Sequence, residues 1–232
     1  MRFFRSATLP IILVAITAVI FVWQLAQRHS VAAVKVVHVP RAQVELPAGP
    51  EGKLTTMVVG GGCFWCVEAF FGDLKGVTAA VSGYAGGTAA TANYDDLHGS
   101  NHAEAVKITY DPAVISFTEL LRVLFTVGDP TSAEGQFPDY GHQYRMVVFH
   151  QNAEEKQVAE AYLRQLSEAK VFTRPLAVTV EPLPLGFFPA EEYHQRFVAR
   201  NPDHPYVCQW MPKKMAKLRA EFADQLKPAA TR

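Results

Sequence analysis

Apolar positions are distributed very unevenly along the chain. Across residues 6–27 no side chain is charged, and 11–22 is almost continuously apolar. Roughly twenty apolar residues are what a helix needs to cross a bilayer, so 1–29 reads as an N-terminal hydrophobic helix. Arg2 and Arg5 before the run suit a cytoplasmic N-terminus, and Trp23 near its far end suits an interface. The segment is expected to be a membrane anchor that holds an exported, extracytoplasmic remainder. A signal segment followed by secretion is the alternative, although the small residues Ala32 and Ala33 lie well past the run. Residues 30–53 read as a linker, ending in Leu46-Pro47-Ala48-Gly49-Pro50-Glu51-Gly52. The folded domain is expected over 54–226, with a tail at 227–232 that contains Pro228.

Inside the domain two periodicities take turns. Residues 55–59 form a short β-rich run that stops at Gly60-Gly61-Gly62, and 64–74 spaces its apolar residues as a helix. Residues 77–84 alternate like a strand and end before Gly86-Gly87; 103–110 is a second strand candidate, closed by Asp111-Pro112. Ser116 is placed to cap a helix through 125, with Glu119 at the capping-box position. Residues 144–150 read as a strand and 154–170 as an amphipathic helix. Beyond them, 177–181 reads as a strand, 190–200 as a short helix and 212–225 as a final helix. Strands and helices mixed in this order, without strict alternation, predict an α+β domain with helices packed on a sheet.

Composition narrows the function. Twenty-two basic and twenty-two acidic side chains cancel to a net charge of zero, unlike the basic excess of a nucleic-acid binder. With 49% hydrophobic and 19% charged residues the chain is not a disordered one. Three cysteines are too few for a disulfide scaffold or a four-cysteine zinc site. The glycines of 60–62 and 83–87 do not make a nucleotide fingerprint.

The stretch Gly60-Gly61-Gly62-Cys63-Phe64-Trp65-Cys66 carries the chemistry. A strand runs into a glycine turn and a cysteine opens the next helix, where backbone N–H groups and the helix dipole favour an anion. A thiolate at Cys63 is therefore expected to form at depressed pKa. Cys66 lies one helical turn on, close enough in principle for a disulfide with Cys63. Phe64 and Trp65 in the turn beside the sulfur suggest an apolar pocket for a soft reacting group. Taken alone, the pair also fits buried packing, or metal binding with Cys208 and a histidine.

The run Gly62-Cys63-Phe64-Trp65 resembles the signature of the A-type peptide methionine sulfoxide reductases. In order along the chain, Gly83-Tyr84-Ala85-Gly86-Gly87, His102-Ala103-Glu104-Ala105-Val106, Asp139-Tyr140-Gly141-His142-Gln143-Tyr144-Arg145 and Ala190-Glu191-Glu192-Tyr193-His194-Gln195 resemble further segments of that family. The resemblance covers about residues 57–201 and implies a two-layer α/β sandwich around a mixed sheet. It implies thiol-dependent reduction of the S epimer of methionine sulfoxide, in proteins and as the free amino acid. Oxidised proteins are the implied substrates and a thioredoxin-like dithiol the implied electron source, with no metal or organic cofactor.

Residue by residue, the resemblance makes Cys63 the nucleophile, Glu104 the acid, and Phe64 with Trp65 the pocket for the S-methyl group. Tyr94 and Tyr144 match the tyrosines that hold the sulfoxide oxygen, and Asp139 an aspartate beside the site. Burial of Glu104 in its apolar strand would keep it protonated near neutrality. His194 reads as a structural hydrogen-bonding residue, and His98 and His102 as loop hydrogen-bonders. Cys66 is the expected resolving thiol, ahead of Cys208, because no flexible glycine-rich tail surrounds Cys208. The loop 94–101 is shorter than the family's and lacks its cysteine. Two other readings stand beside this one: a thioredoxin-like disulfide oxidoreductase using Cys63 and Cys66, and a non-catalytic anchored binding module.

Overall fold

The computed structural model describes residues 36–50 and 52–228. The expected anchor over 1–29, the start of the linker and the last residues of the tail lie outside the described residues. Among the described residues no helix is long and apolar enough to cross a membrane.

Strands β1 (Thr55–Gly61), β2 (Val77–Ala85) and β3 (Ala103–Tyr110) form the middle of a six-stranded sheet. With β6 (Met146–His150), β7 (Thr179–Pro182) and β8 (Phe187–Pro189) the order is β7-β6-β1-β3-β2-β8. All neighbours are antiparallel except β6 and β7, so the sheet is mixed, as expected. Two further short strands, β4 (Gly135–Gln136) and β5 (Asp139–Tyr140), make a separate hairpin.

Alternation along the strands sorts the side chains into two faces. Val59, Val106, Ile108 and Val148 join the main core with helices α1 (Phe64–Gly72), α2 (Phe117–Val127), α3 (Ala153–Glu168) and α5 (Pro205–Phe222). Val58, Ala105, Val147 and Phe149 face the other way into a smaller cluster. The result is a helix layer on one face of a mixed sheet, the α+β architecture that the periodicities imply. Glu104 shares its strand parity with Val106 and Ile108, so the register turns it under the helix layer rather than toward solvent.

Ser116 caps α2 by accepting the Glu119 N–H at 3.1 Å. The Glu119 carboxylate does not complete a capping box; it grips Arg122 through two bonds of 2.8 and 2.6 Å.

Other expectations are corrected. Residues 36–50, expected as linker, are extended but docked. Val39 is wholly buried, Tyr162 donates to the Pro40 carbonyl at 2.6 Å, and Gln43 donates its backbone N–H to Gln165 at 2.8 Å. Strand β8 is too short for any periodicity to reveal. It fits against β2 because Gly83 has no Cβ to strike the Phe187 ring and the Phe188 carbonyl. The expected helix over 190–200 is a 3-10 turn (Glu192–His194) and a separate short helix α4 (Phe197–Arg200). Tertiary hydrogen bonds break it: Gln195 bonds both the N–H and the carbonyl of Ser82, and Glu68 accepts the Arg196 N–H at 2.8 Å. Arg196 then adopts the left-handed conformation, φ 52°. The last helix begins at Pro205, not at 212, and carries Pro212 inside it.

Candidate active site

Strand β1 ends at Gly61, and the chain turns at Gly62 with φ 85°. A Cβ there would stand 2.5 Å from the Gln136 Cβ, so glycine serves both the left-handed turn and the close approach of the β4–β5 hairpin. The turn delivers Cys63 to the N-cap of α1, where its carbonyl accepts the N–H groups of Cys66 and Val67 at 3.1 and 3.3 Å. Cys63 and Cys66 are both buried free thiols, with Cys63 at 7% exposure.

Strand β3 sets Glu104 across from Tyr84 and next to this helix start. One carboxyl oxygen accepts the Phe64 N–H at 2.8 Å, satisfying a donor that the helix itself leaves unpaired. Glu104 is 2% exposed, and burial pushes its pKa up to about 8; Asp139 and Cys66 push the same way, while the Phe64 N–H opposes. The group therefore carries its proton near neutrality.

The expectation of a depressed Cys63 thiol is overturned. Burial pushes the thiol well up, and the hydrogen bond with Cys66 and the neighbouring Glu104 carboxylate add to it. Only the Tyr206 hydroxyl favours the thiolate. Position at a helix start is a local property, whereas burial and the facing carboxyl come from the assembled fold.

Tyr206 was not singled out by sequence. It comes from the first turn of α5, and its hydroxyl donates to the Asp139 carboxylate while standing beside the Cys63 sulfur. Asp139 is thus tied to a side chain, and burial raises its pKa. Cys208 follows Tyr206 by two residues, about 200° around the helix. It is exposed and bonds the Pro202 carbonyl at 3.3 Å, so it faces away from Cys63.

The two aromatic residues after Cys63 do not flank an open turn. Phe64 is wholly buried, its ring 6.0 Å from that of Tyr84 and 4.9 Å from that of His194. Trp65 is half-buried, stacked on Phe197 at 3.7 Å, and its indole N–H donates to His194 Nδ1 at 3.0 Å. That bond places the imidazole proton on Nε2, a buried atom without a hydrogen-bond partner among the described residues, with the Glu191 carboxylate 4.0 Å away.

Tyr94 lies in the loop after β2, with its ring 4.6 Å from that of His194; Tyr144 lies in a 3-10 turn (His142–Tyr144) rather than opening a strand. Both hydroxyls are pushed up first by burial and then by the charges of Glu104 and Cys63, which marks them as neighbours of the site. Tyr84 and Glu191 were also missed. Glu191 accepts the Tyr84 hydroxyl at 2.8 Å and the Tyr94 N–H at 3.1 Å, which fixes the Tyr94 loop. His102 is a buried hydrogen-bonder, set between the Gly87 N–H and the Thr88 carbonyl. Among the described residues no group of three or more His, Cys, Asp or Glu is placed to hold a metal.

A buried thiol, a buried protonated carboxyl and tyrosine hydroxyls thus converge at one helix start. Residues 55–226 match the family model for peptide methionine sulfoxide reductase. The chain belongs to the peptide methionine sulfoxide reductase family. A reductase of this family from Synechocystis sp., called MsrA 2, is 47% identical over 173 residues, covering 73% of this chain and 80% of that one. One from Thermus thermophilus is 42% identical over 170 residues, covering 72% and 95%. Among solved structures, methionine sulfoxide reductase A of Corynebacterium diphtheriae is similar with TM-score 0.54 and 26% identity, covering 71% of this chain and 92% of that one. The reduced form of Mxr1 from Saccharomyces cerevisiae is similar with TM-score 0.58 and 27% identity, covering 69% and 91%. As a member of the A type, this peptide methionine sulfoxide reductase is an oxidoreductase of protein repair. It reduces methionine sulfoxide with thiol-derived electrons and needs no cofactor.

Proposed function

We propose that Cys63 attacks the sulfur of the S epimer of methionine sulfoxide, in oxidised proteins and as the free amino acid, while Glu104 protonates the sulfoxide oxygen. The observation that carries this is the Glu104 carboxyl, protonated near neutrality and bonded to the N–H of the residue after Cys63. Among the described residues neither the Tyr94 nor the Tyr144 hydroxyl has a hydrogen-bond partner, whereas those of Tyr84 and Tyr206 are held by Glu191 and Asp139. The free pair serves as donors to the developing charge on oxygen. Trp65, the less buried of the two aromatics, faces the S-methyl group with Phe64 packed behind it, and Asp139 holds the Tyr206 hydroxyl in place beside the thiol.

The Cys63 thiol proton replaces the one that Glu104 delivers, and the oxygen moves from the sulfoxide to Cys63, giving methionine and a Cys63 sulfenic acid. Cys66 condenses with that sulfenic acid, releasing water and forming a Cys63–Cys66 disulfide that a thioredoxin-like dithiol reduces. Cys66 is favoured over Cys208 because it is buried beside Cys63, whereas Cys208 faces solvent. We also place the enzyme on a membrane through residues 1–29 with its catalytic domain exported, secretion being the alternative; the uncharged apolar run supports this.

The full chain, given each epimer of a methionine sulfoxide peptide with dithiothreitol, should reduce only the S epimer. Cys63→Ser should abolish the reaction. Reduction of both epimers, or turnover by Cys63→Ser, would refute the assignment.

A further inference from the structure

The β4–β5 hairpin turns its side chains to two sides. Gln136 is buried and Asp139 reaches in to Tyr206, whereas Phe137 and Tyr140 point out, at 65% and 57% exposure. Trp210 follows Tyr206 by four residues on α5 and so shares its face of the helix. The Phe137 ring meets Trp210 edge-on at 5.0 Å and Tyr140 edge-on at 6.2 Å. The Lys213 ammonium stands over the Trp210 ring at 4.6 Å. Beside these rings lies a cavity of about 450 Å³, which Lys214 also lines.

Phe137 and Tyr140 leave most of their rings in water and Trp210 is only half-buried, so burial accounts for little of this cluster. Exposed aromatic rings gathered at one spot point to an interaction site, and tyrosine and tryptophan are the side chains that concentrate binding energy. Position narrows the occupant. The hairpin and helix that present the patch are the two elements that carry Asp139 and Tyr206 to Cys63. Four residues along a helix advance about 6 Å, and an extended peptide covers about 3.3 Å per residue. A polypeptide with its sulfoxide at Cys63 therefore brings side chains two or three positions away onto the rings. Lys213, Lys214 and Lys217 bring three positive charges to the cavity against two carboxylates, Glu134 and Asp129, and Asp129 is held by Arg174 at 2.7 Å.

We infer that Phe137, Tyr140 and Trp210 form a docking ledge for polypeptide substrates. The ledge takes an apolar or aromatic side chain two or three residues from the methionine sulfoxide, and Lys213 and Lys214 pair with an acidic residue beside it. The inference rests on the proposed reduction at Cys63 and adds a selection among oxidised polypeptides.

The test compares three substrates in the full chain, all with dithiothreitol so that no protein donor takes part. They are free methionine S-sulfoxide, a peptide with Phe and Glu two and three residues from the sulfoxide, and the same peptide with glycines there. Wild type should prefer the Phe-Glu peptide. Phe137→Ala and Trp210→Ala should each lower its kcat/KM about tenfold through KM, leave the free amino acid within twofold, and erase the preference. Lys213→Glu should lower the same value and remove its salt dependence. Equal losses on all three substrates, or no loss on any, would overturn the ledge, as would losses seen only in parallel runs with anionic vesicles added or with a thioredoxin-type donor in place of dithiothreitol. Failure of wild type to reduce even the free sulfoxide would instead refute the chemistry at Cys63.

Discussion

The N–H of Phe64, the residue after Cys63, donates to Glu104 Oε2 at 2.8 Å in a buried environment. One peptide group thereby fixes the acid with respect to the thiol. It occupies one carboxyl oxygen as an acceptor and leaves the acidic proton on the other. The same bond pairs a helix-start donor that would otherwise be buried without a partner.

Glu104→Gln should keep the hydrogen bond and lose the proton. Its kcat/KM is expected to drop by about 10²–10⁴-fold, and wild-type activity should fall as pH rises through about 8. Stability should move as well. The folded carboxyl titrates near 8 and the unfolded one near 4.5, so the unfolded state binds fewer protons between them and stability falls as pH rises across that window. Denaturant melts from pH 4 to 9 should show a downward slope in wild type that is reduced in the variant; parallel curves would refute the account.

Gly62→Ala tests the turn that delivers Cys63. The substitution forces a Cβ into the left-handed region and onto the Gln136 side chain, so a loss of about 1–3 kcal/mol in stability is expected. Gly72→Ala is the control, because a Cβ there meets nothing within 4 Å. Thermal unfolding of the pair should separate them, with only the Gly62 variant lowered in melting temperature and activity.

The recycling route divides by cysteine. Cys66→Ser should complete a single reduction, yield one methionine per enzyme, and stall with a sulfenic acid that dimedone traps. Cys208→Ser should turn over normally with a thioredoxin-type donor. Peptide mapping of the oxidised wild type should find a Cys63–Cys66 disulfide; a Cys63–Cys208 bridge would reverse the assignment.

His194 carries a pH signature in stability. Burial lowers its pKa from 6.5, and Nδ1 already accepts the Trp65 indole N–H, so protonation would set two donors against each other. The unfolded imidazole charges first, and stability is expected to fall as pH drops below 6.5. Tryptophan fluorescence should follow the transition, and His194→Asn should flatten this acid limb.

Local patterns in the sequence determined a good deal. The strand at Ala103–Tyr110, the Ser116 cap, the glycine turn before Cys63 and the order of segments depend on near neighbours, which alternation, capping chemistry and φ preferences report directly. Other features needed partners far along the chain. Strand β8 exists because Gly83 gives it room, and the helix expected over 190–200 breaks because Glu68 and Ser82 capture its backbone and side-chain groups. Tyr206 meets Asp139 across 67 positions of sequence, and no periodicity encodes such a meeting. The protonation states divide the same way. A helix start next to a cysteine is legible and argues for a thiolate, but the burial that raises both Cys63 and Glu104 arises only once the sheet register turns Glu104 under the helices. Desolvation is a property of the assembled layers, so tertiary structure alone decided where the protons sit.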